Sequence, residues 1–168
     1  MAGSIGNGVQ MKRVRLSTLE DYPDWLKLAK EVEPLFGPMV EDTAFRSGLR
    51  NAIQEKTALC VSEPNGSGGW IFRGGIVVSN EANEILWLAV TTESRGQGMG
   101  RALLSEAMGR LAPDRPITVT TFDHTVEAGL PARGLYRFFG FRDSETTGVN
   151  PAGIPTVTMV RAASGAGP

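Results

Sequence analysis

The segment from residue 84 to residue 104 constrains the fold more than any other part of the sequence. Its first seven residues, Glu84 to Val90, are almost continuously apolar, which is typical of a strand covered on both faces. A turn that contains Gly96, Gly98 and Gly100 follows, and a helical pattern of apolar residues begins directly after it. Backbone N–H groups converge where a helix begins after such a turn, and the helix dipole adds positive potential. The segment therefore predicts a strand–turn–helix unit that binds a phosphate group.

Three phosphate-binding patterns can be compared with this turn. The dinucleotide pattern Gly-x-Gly-x-x-Gly fails, because Arg101 or Leu103 stands at its last position. The P-loop pattern fails as well, because no Gly-Lys-Ser/Thr sequence lies nearby. The pattern Arg/Gln-x-x-Gly-x-Gly/Ala fits without a gap as Arg95, Gly98 and Gly100. Nucleotide binding is therefore disfavoured, and a turn that only connects strand and helix is the structural alternative.

A second pattern lies closer to the end of the chain. Ala132, Tyr136, Gly140 and Phe141 follow the spacing Ala-x-x-x-Tyr-x-x-x-Gly-Phe. Together, and in this order, the two patterns resemble the signatures of the GNAT superfamily of N-acetyltransferases, which transfer acyl groups from acyl-CoA to amines. With the order of predicted elements, the resemblance covers about residues 11–162, nearly the whole chain.

The predicted elements follow the order β-α-α-β-β-β-α-β-α-β-β. This order predicts an α+β sandwich around one mixed sheet rather than repeated βαβ units. The resemblance implies a GNAT-like acyl-CoA N-acyltransferase fold, with the sheet splayed after the fourth strand and helices on both faces. We expect residues 11–162 to form a single domain. Residues 1–10 and 163–168 are rich in glycine and small residues, and we expect them to be flexible tails.

The resemblance also implies where acetyl-CoA, the expected co-substrate, binds. Its pantetheine arm would pair with backbone groups of the fourth strand in the splayed gap, and its pyrophosphate would lie against the glycine-rich turn. Two further arginines, Arg133 and Arg137, are additional candidates for contacts with the CoA phosphates. The expected cofactor-binding residues are Leu88, Ala89, Val90, Arg95, Gly96, Gln97, Gly98, Met99, Gly100 and Arg101.

Acyl transfer to an amine needs a base for the amine, donors for the oxyanion and a proton for the departing thiolate. The resemblance implies Tyr136 as the general acid, Glu84 as the general base and the backbone N–H of Val90 as the oxyanion donor. The residues alone also allow core packing for Tyr136, and a solvated strand end for Glu84 with an ordered water as the base. Strand alternation predicts that Glu84, Leu86 and Leu88 share one face.

Composition narrows the remaining function classes. With one cysteine, Cys60, and one histidine, His124, the chain offers neither an internal disulfide nor a His/Cys metal cluster. His124 is either a second candidate base or a solvated loop residue. The net charge of −1 is too balanced for a dedicated nucleic-acid binder. The sequence has no apolar run of membrane-spanning length and no secretory signal pattern, so we expect a cytoplasmic protein without membrane contacts.

These observations predict a metal-independent N-acetyltransferase. It would transfer an acetyl group from acetyl-CoA to a primary amine by direct attack in a ternary complex. The alternative is a non-catalytic acyl-CoA-binding sensor module. The sequence leaves open whether the acceptor is a small molecule or a peptide, which acyl chain is preferred, and the oligomeric state, a homodimer included.

Overall fold

The computed structural model describes residues 12–165 of the chain. The predicted tail 1–10 and residues 166–168 lie outside the described residues. Within that range the chain forms seven strands and four α-helices. In chain order these are β1 (Arg13–Leu16), α1 (Tyr22–Phe36), α2 (Thr43–Gln54), β2 (Ala58–Pro64), β3 (Trp70–Ser79), β4 (Glu84–Val90), α3 (Met99–Met108), β5 (Ile117–Phe122), α4 (Leu130–Phe138), β6 (Arg142–Val149) and β7 (Pro155–Arg161).

The seven strands form one mixed sheet in the order β1-β2-β3-β4-β5-β7-β6. The pair β4 and β5 is parallel, and the other neighbouring pairs are antiparallel. A parallel pair needs a long crossover connection, and here α3 supplies it. The predicted α+β sandwich around one mixed sheet is confirmed.

The helices pack on both faces of the sheet. On one face, α3 and α4 contribute Leu103, Leu104 and Tyr136 to a core shared with Val119 and Met159 of the sheet. On the opposite face, α1 and α2 cover the sheet through a second set of buried side chains. That set includes Trp25, Leu28, Ala29, Val32, Leu49 and Ile53. The near-continuous apolar character of β4 follows from this two-sided cover.

A β-bulge in β4 alters the predicted alternation of its side chains. Val77 of β3 pairs with Trp87 and Val78 pairs with Ile85, so Leu86 is the extra residue. Ile85 packs in the α3/α4 core, whereas Trp87 packs against α1 and α2. The prediction that Glu84, Leu86 and Leu88 share one face is therefore wrong, because the bulge leaves Ile85 and Leu88 in the α3/α4 core and places Trp87 on the opposite face.

The turn before β4 is fixed by the side chain of Asn83, which is 1% exposed. Its amide nitrogen donates to the carbonyl oxygens of Ala112 and Pro116, at 2.9 and 3.0 Å, and its Oδ1 accepts from the Ala112 N–H at 2.8 Å. These bonds join the start of β4 to the connection between α3 and β5. These bonds hold β4 and β5 together at the end where the two strands pair, before the strands diverge.

Two helix starts differ from the pattern expected for them. The spacing of Ser17 and Glu20 predicts a capping box, but the carboxylate that accepts from the backbone is Asp21, which bonds the Thr18 N–H at 2.8 Å. Ser17 instead accepts from the indole nitrogen of Trp25 at 3.0 Å, because a buried indole N–H needs an acceptor. The spacing of Ala132, Leu135, Tyr136 and Phe139 predicts a fourth helix that begins near residue 132, but α4 begins at Leu130.

Candidate active site

The site is built around a gap between β4 and β5. The two strands pair only at Glu84 with Thr118 and at Ile85 with Val119. Further along, Leu88 to Val90 keep their partners on β3 but have none on β5. One backbone edge of β4 therefore faces the gap, and its N–H and C=O groups are free for a ligand that carries amides.

The turn that follows β4 has the backbone geometry of an anion site. A short 3₁₀ turn at Thr92–Ser94 leads into it, and both Gly96 (φ +75°) and Gly98 (φ +80°) have the left-handed backbone that glycine adopts without strain. Across the start of α3, the N–H of Ala102 donates to the carbonyl of Gly98 at 3.1 Å. The N–H groups before Ala102 are the unpaired donors of a helix N-terminus, so they can donate hydrogen bonds to a phosphate.

Three cations lie near this turn. Arg95 is exposed within it, and the guanidinium of Arg101 stacks over the ring of Phe138 at 4.2 Å. Lys12 contributes the third, since a Cβ added to Gly98 would lie 2.9 Å from the Lys12 Nζ. Sequence patterns did not indicate Lys12, because it approaches Gly98 only through the fold.

Arg133 does not take part in this cluster, and its assignment as a phosphate contact is wrong. Its side chain is 1% exposed and donates to both carboxylate oxygens of Asp143, at 2.8 and 3.0 Å. A further bond joins it to the carbonyl of Phe122 at the end of β5. Arg133 therefore anchors α4 to β5 and β6. Arg137 is exposed on α4, and its carbonyl accepts from Arg142.

Several side chains of the turn have structural tasks, which leaves the backbone for a ligand. Met99 is 1% exposed and belongs to the α3/α4 core. The amide of Gln97 donates to the carbonyl of Glu93 at 3.1 Å. A Cβ on Gly100 would lie 3.3 Å from Leu135 of α4, so this glycine allows α3 and α4 to pack closely. A bulky residue at position 100 would disturb helix packing as well as a ligand.

Tyr136 of α4 is buried in the core between the sheet and the helices α3 and α4. Its side chain is 4% exposed, and its ring meets that of Phe141 edge-on with a centroid distance of 5.7 Å. Burial raises the pKa of the Tyr136 phenol well above its usual value. The hydroxyl therefore stays protonated at neutral and moderately alkaline pH, as a proton donor requires.

A comparison with protein families identifies the family to which the chain belongs. The family model described as Acetyltransferase (GNAT) domain matches residues 34–163, most of the chain. The chain belongs to the GNAT acetyltransferase family. This match confirms the relationship indicated by the two sequence motifs, and it covers the gap, the glycine-rich turn and Tyr136 together.

Solved structures of other GNAT proteins share the fold. A GNAT acetyltransferase from Bacillus cereus ATCC 10987 superimposes with a TM-score of 0.67 at 16% identity, over 90% of this chain and 97% of that one. The PaiA N-acetyltransferase from Thermoplasma acidophilum, solved with coenzyme A, gives 0.61 at 16%, over 90% and 99%. The ribosomal-protein-S18-alanine N-acetyltransferase from Escherichia coli gives 0.64 at 16%, over 94% and 97%. No curated protein matches this chain by sequence.

Within the GNAT fold, Glu84 stands at the first residue of β4, opposite Ser79 of β3 and Thr118 of β5. It is half-buried. Because the next residue, Ile85, packs in the α3/α4 core, alternation directs the side chain of Glu84 toward the α1/α2 face. That face is opposite to the one on which Tyr136 lies.

The second candidate base, His124, lies at the surface, and three other titratable groups, Cys60, Glu33 and Asp42, are buried or bonded to backbone N–H groups. The His124 side chain is 71% exposed, and its Nδ1 lies 3.2 Å from a carboxylate oxygen of Asp123. Cys60 is fully buried in β2, and burial raises the pKa of its thiol. Glu33 accepts from the N–H groups of Met39 and Val40, and Asp42 caps α2 through the Ala44 N–H, so these acids stabilise the α1–α2 connection.

One acidic residue of α1 reaches the site itself. Glu31 accepts a hydrogen bond from the N–H of Thr92, directly after β4. This bond to Thr92 lowers the pKa of the Glu31 carboxyl. On the neighbouring strand, Arg73 bonds Glu93 at 3.1 Å and its carbonyl accepts from the Thr91 N–H. Sequence reasoning missed these contacts, which fix the exit of β4 into the glycine-rich turn.

Two features are absent from residues 12–165. No helix of that part is long and apolar enough to cross a membrane. No group of three or more His, Cys, Asp or Glu side chains there has the arrangement of a metal site.

Proposed function

We propose that the protein is an acyl-CoA-dependent N-acyltransferase that transfers an acetyl group from acetyl-CoA to a primary amine in a ternary complex. The observation that carries the proposal is the free backbone edge of β4, from Leu88 to Val90, which leads directly into the glycine-rich N-terminus of α3. An edge of backbone amides followed by an anion site matches the two polar parts of CoA, its pantetheine amides and its pyrophosphate.

In this proposal the backbone makes the main contacts with the cofactor. Leu88 and Val90 offer N–H and C=O groups to the pantetheine arm. Those of Ala89 face β3, because Thr91 two residues later donates to Arg73 of β3. The N–H groups of residues 96–101 bind the pyrophosphate. Arg95 and Lys12 add positive charge at the same turn, where phosphate oxygens carry negative charge. The PaiA structure with coenzyme A supports this use of the shared fold.

The chemistry then needs one proton removed and one negative charge stabilised. An alkylamine has a pKa near ~10 and is mostly protonated at neutral pH, so it must lose a proton before it attacks. Glu84, on the α1/α2 face, is the proposed base, either directly or through a water molecule. The amine nitrogen attacks the thioester carbonyl, and the N–H of Val90 stabilises the oxyanion. The C–S bond then breaks and the thiolate leaves.

Tyr136 is the proposed donor to the departing sulfur. A thiol of the cysteine type has a pKa of about 8.5, well below that of a buried phenol. The phenol therefore stabilises the thiolate chiefly by hydrogen bonding, because complete proton transfer from it is uphill. The buried ring packs against Phe141, which holds the hydroxyl in one position.

Thermal shift and thiol release together test the proposal. Acetyl-CoA should raise the melting temperature, whereas ATP and NAD should not, because only a ligand of the native state stabilises it. Thiol release from acetyl-CoA is then measured with a panel of small amines and peptides. Stabilisation by acetyl-CoA without thiol release for any amine would favour the sensor module, and equal stabilisation by NAD would contradict the cofactor. The single domain over residues 11–162, the cytoplasmic location and a homodimer stay predictions.

A further inference from the structure

The exposed face of α2 carries two arginines that have no acidic partner. Arg46 and Arg50 lie four residues apart, so their side chains leave the same side of the helix. Neither forms an ion pair with a described Asp or Glu side chain, although the charge of Glu41 reaches Arg46 from the preceding loop. Residues 1–11 and 166–168 contain no Asp or Glu. Like charges at this spacing repel each other, and a bound anion would offset that repulsion.

One buried aromatic residue holds both guanidinium groups. Tyr22, at the start of α1, is 8% exposed, and its hydroxyl accepts a hydrogen bond from the Nε–H of Arg46 at 3.3 Å. The guanidinium of Arg50 stacks over the ring of Tyr22, 4.6 Å from the centroid. A side chain that is already held loses less conformational entropy when it binds a ligand. The two cations are therefore ordered in the free protein, and their terminal nitrogens remain available to an anion.

The two arginines line a small concavity on this face of the helix. Thr43 and Ser47 complete its lining, and its volume is about 220 Å³. This volume is below the range of roughly 300–1,000 Å³ that is usual for sites that enclose a whole small molecule. All four lining side chains can donate hydrogen bonds. The concavity therefore fits one functional group that carries negative charge and several acceptor atoms.

The geometry of the guanidinium groups favours a phosphate over a carboxylate. A guanidinium presents parallel N–H donors that match two oxygens of one anion, and two guanidiniums offer two such sets. A carboxylate has only two oxygens and one negative charge. A phosphate monoester has three terminal oxygens and about −1.5 to −2 charges at pH 7, so it can engage both arginines at once.

We propose that this surface of α2 is a phosphate-monoester site, formed by Thr43, Arg46, Ser47 and Arg50 and ordered by Tyr22. The site shares no residue with the gap between β4 and β5 or with the glycine-rich turn. The inference therefore does not depend on the acyltransferase assignment. A phosphorylated small molecule and a phosphorylated side chain of another protein share this chemistry.

A phosphate group can also bind at the glycine-rich turn, so the test has to resolve the two sites. Backbone amide NMR does so for a protein of 168 residues, because the signals of residues 43–50 and of residues 96–101 report the two sites separately. Phenyl phosphate represents the small-molecule source, and a pentapeptide with a central phosphoserine represents the protein source. We expect saturable shifts of residues 43–50 with phenyl phosphate, together with shifts of the Arg46 and Arg50 Nε–H signals.

Substitution of the exposed arginines measures their contribution without disturbing the core. Arg50→Gln removes one charge, and the Kd for phenyl phosphate at residues 43–50 should rise about threefold or more. The double variant Arg46→Lys/Arg50→Lys keeps both charges but loses the paired donors, and we expect a similar rise. Arg110→Gln is the matched control and should bind like the wild type, because Arg110 follows α3 and pairs with Glu106.

Benzoate, which carries a carboxylate on the same ring, should bind at least about threefold more weakly than phenyl phosphate. Equal binding of benzoate, or an unchanged Kd in Arg50→Gln, would overturn the site. Wild-type affinity in the double lysine variant would also overturn it, because charge alone would then explain the binding. Shifts confined to residues 96–101 would place phosphate only at the turn and would contradict the proposal.

The two sources are compared once binding at α2 is established. A lower Kd for the phosphoserine pentapeptide than for phenyl phosphate identifies a phosphorylated protein as the ligand, and the reverse identifies a small molecule. The pentapeptide with unmodified serine should cause no saturable shift of residues 43–50. None of these measurements uses thiol release, so failure of the acyltransferase assignment would leave this site intact.

Discussion

The ring of Phe36, in the last turn of α1, lies 5.4 Å from the ring of Phe122 at the end of β5, measured between centroids. The same ring lies 6.0 Å from the centroid of Trp87 on β4. Phe36 therefore bridges the two strands where they have diverged, and it covers the gap between them on the α1/α2 face. The turn between β6 and β7 supports this arrangement, because Asn150 donates to the carbonyl of Leu35 at 2.7 Å.

Replacement of Phe36 should admit water to the gap. We expect Phe36→Ala to raise thiol release without an amine by about threefold or more, because exclusion of water protects a reactive thioester. Phe36→Leu keeps much of the bulk and serves as the control. The measurement is acetyl-CoA hydrolysis with no acceptor present. Equal hydrolysis by the wild type and Phe36→Ala would show that this ring does not cover the thioester.

Removal of the Tyr136 hydroxyl should affect turnover more than binding. Tyr136→Phe keeps the ring that packs against Phe141, so the melting temperature should change little. We expect kcat to fall roughly 10²-fold or more, the range of a lost proton donor, with the Kd for acetyl-CoA nearly unchanged. Steady-state kinetics with calorimetry check this. Turnover within about threefold of the wild type, with chemistry rate-limiting, would contradict the role.

Gly98 should be required for binding of CoA. Gly98→Val forces a β-branched residue to φ +80° and puts a side chain where phosphate oxygens approach. Gly66→Val is the matched control, because Gly66 has φ +82° and lies in the hairpin between β2 and β3. Both variants should lose about 1–2 kcal/mol of unfolding free energy from the left-handed backbone.

Only Gly98→Val should also weaken CoA binding, by about tenfold or more, which equals ~1.4 kcal/mol. Urea unfolding and calorimetry measure the two effects separately. The same loss of CoA affinity in Gly66→Val would mean that general destabilisation, and not the turn, explains the result.

The buried side chain of Asn83 should contribute strongly to stability. Asn83→Ala leaves the carbonyls of Ala112 and Pro116 without their donor, and we expect a loss of about 2–3 kcal/mol in the free energy of unfolding. Asn80→Ala, at an exposed position in the same turn, should change it by less than about 0.5 kcal/mol. Urea titration measures both. Equal effects in the two variants would rule out the hydrogen bonds as the cause.

Glu33 should make the stability of the α1–α2 connection depend on acid pH. Bonds from the N–H groups of Val40 and Met39, and then from Lys30, lower the pKa of its carboxyl from 4.5 to about 2. Because the folded state favours the ionised form, this contribution is complete above pH 4.5 and is lost as the pH falls toward about 2.

The difference in urea midpoint between the wild type and Glu33→Gln should therefore shrink across that range. A difference that stays constant from pH 6 to roughly pH 2 would show that ionisation of Glu33 does not contribute to stability.

The order of residues within short segments determined two parts of the proposed acyl-CoA site, the glycine-rich turn and the helix that carries Tyr136. The positive φ angles of Gly96 and Gly98 agree with the turn predicted from their positions, because only glycine adopts that backbone freely. Tyr136 lies on a helix in the α3/α4 core, as its spacing to Ala132 and Phe139 indicates. Features of this kind depend on neighbours within a few residues, so they can be read from one short segment.

Other features arose only when distant segments met. The bulge at Leu86 depends on the register between β3 and β4, and the approach of Lys12 to Gly98 depends on where the chain passes before β1. Arg133 resembles a phosphate-binding residue by sequence position, yet Asp143 and Phe122 bind it inside the protein. Phe36 covers the gap because its ring contacts Trp87 of β4 and Phe122 of β5, and these contacts join α1 to the two diverging strands.

The sequence by itself therefore determined the fold class, the family and the backbone conformation of the glycine-rich turn, because each rests on periodicity, glycine conformation and motif spacing within single segments. Only the tertiary structure decided which faces Trp87 and Leu86 occupy, and that Arg133 is bound inside the protein whereas Arg95 is exposed at the turn. These outcomes depend on how side chains from different elements fill the space between helix and sheet. No local pattern encodes that space, since packing is a property of the assembled chain.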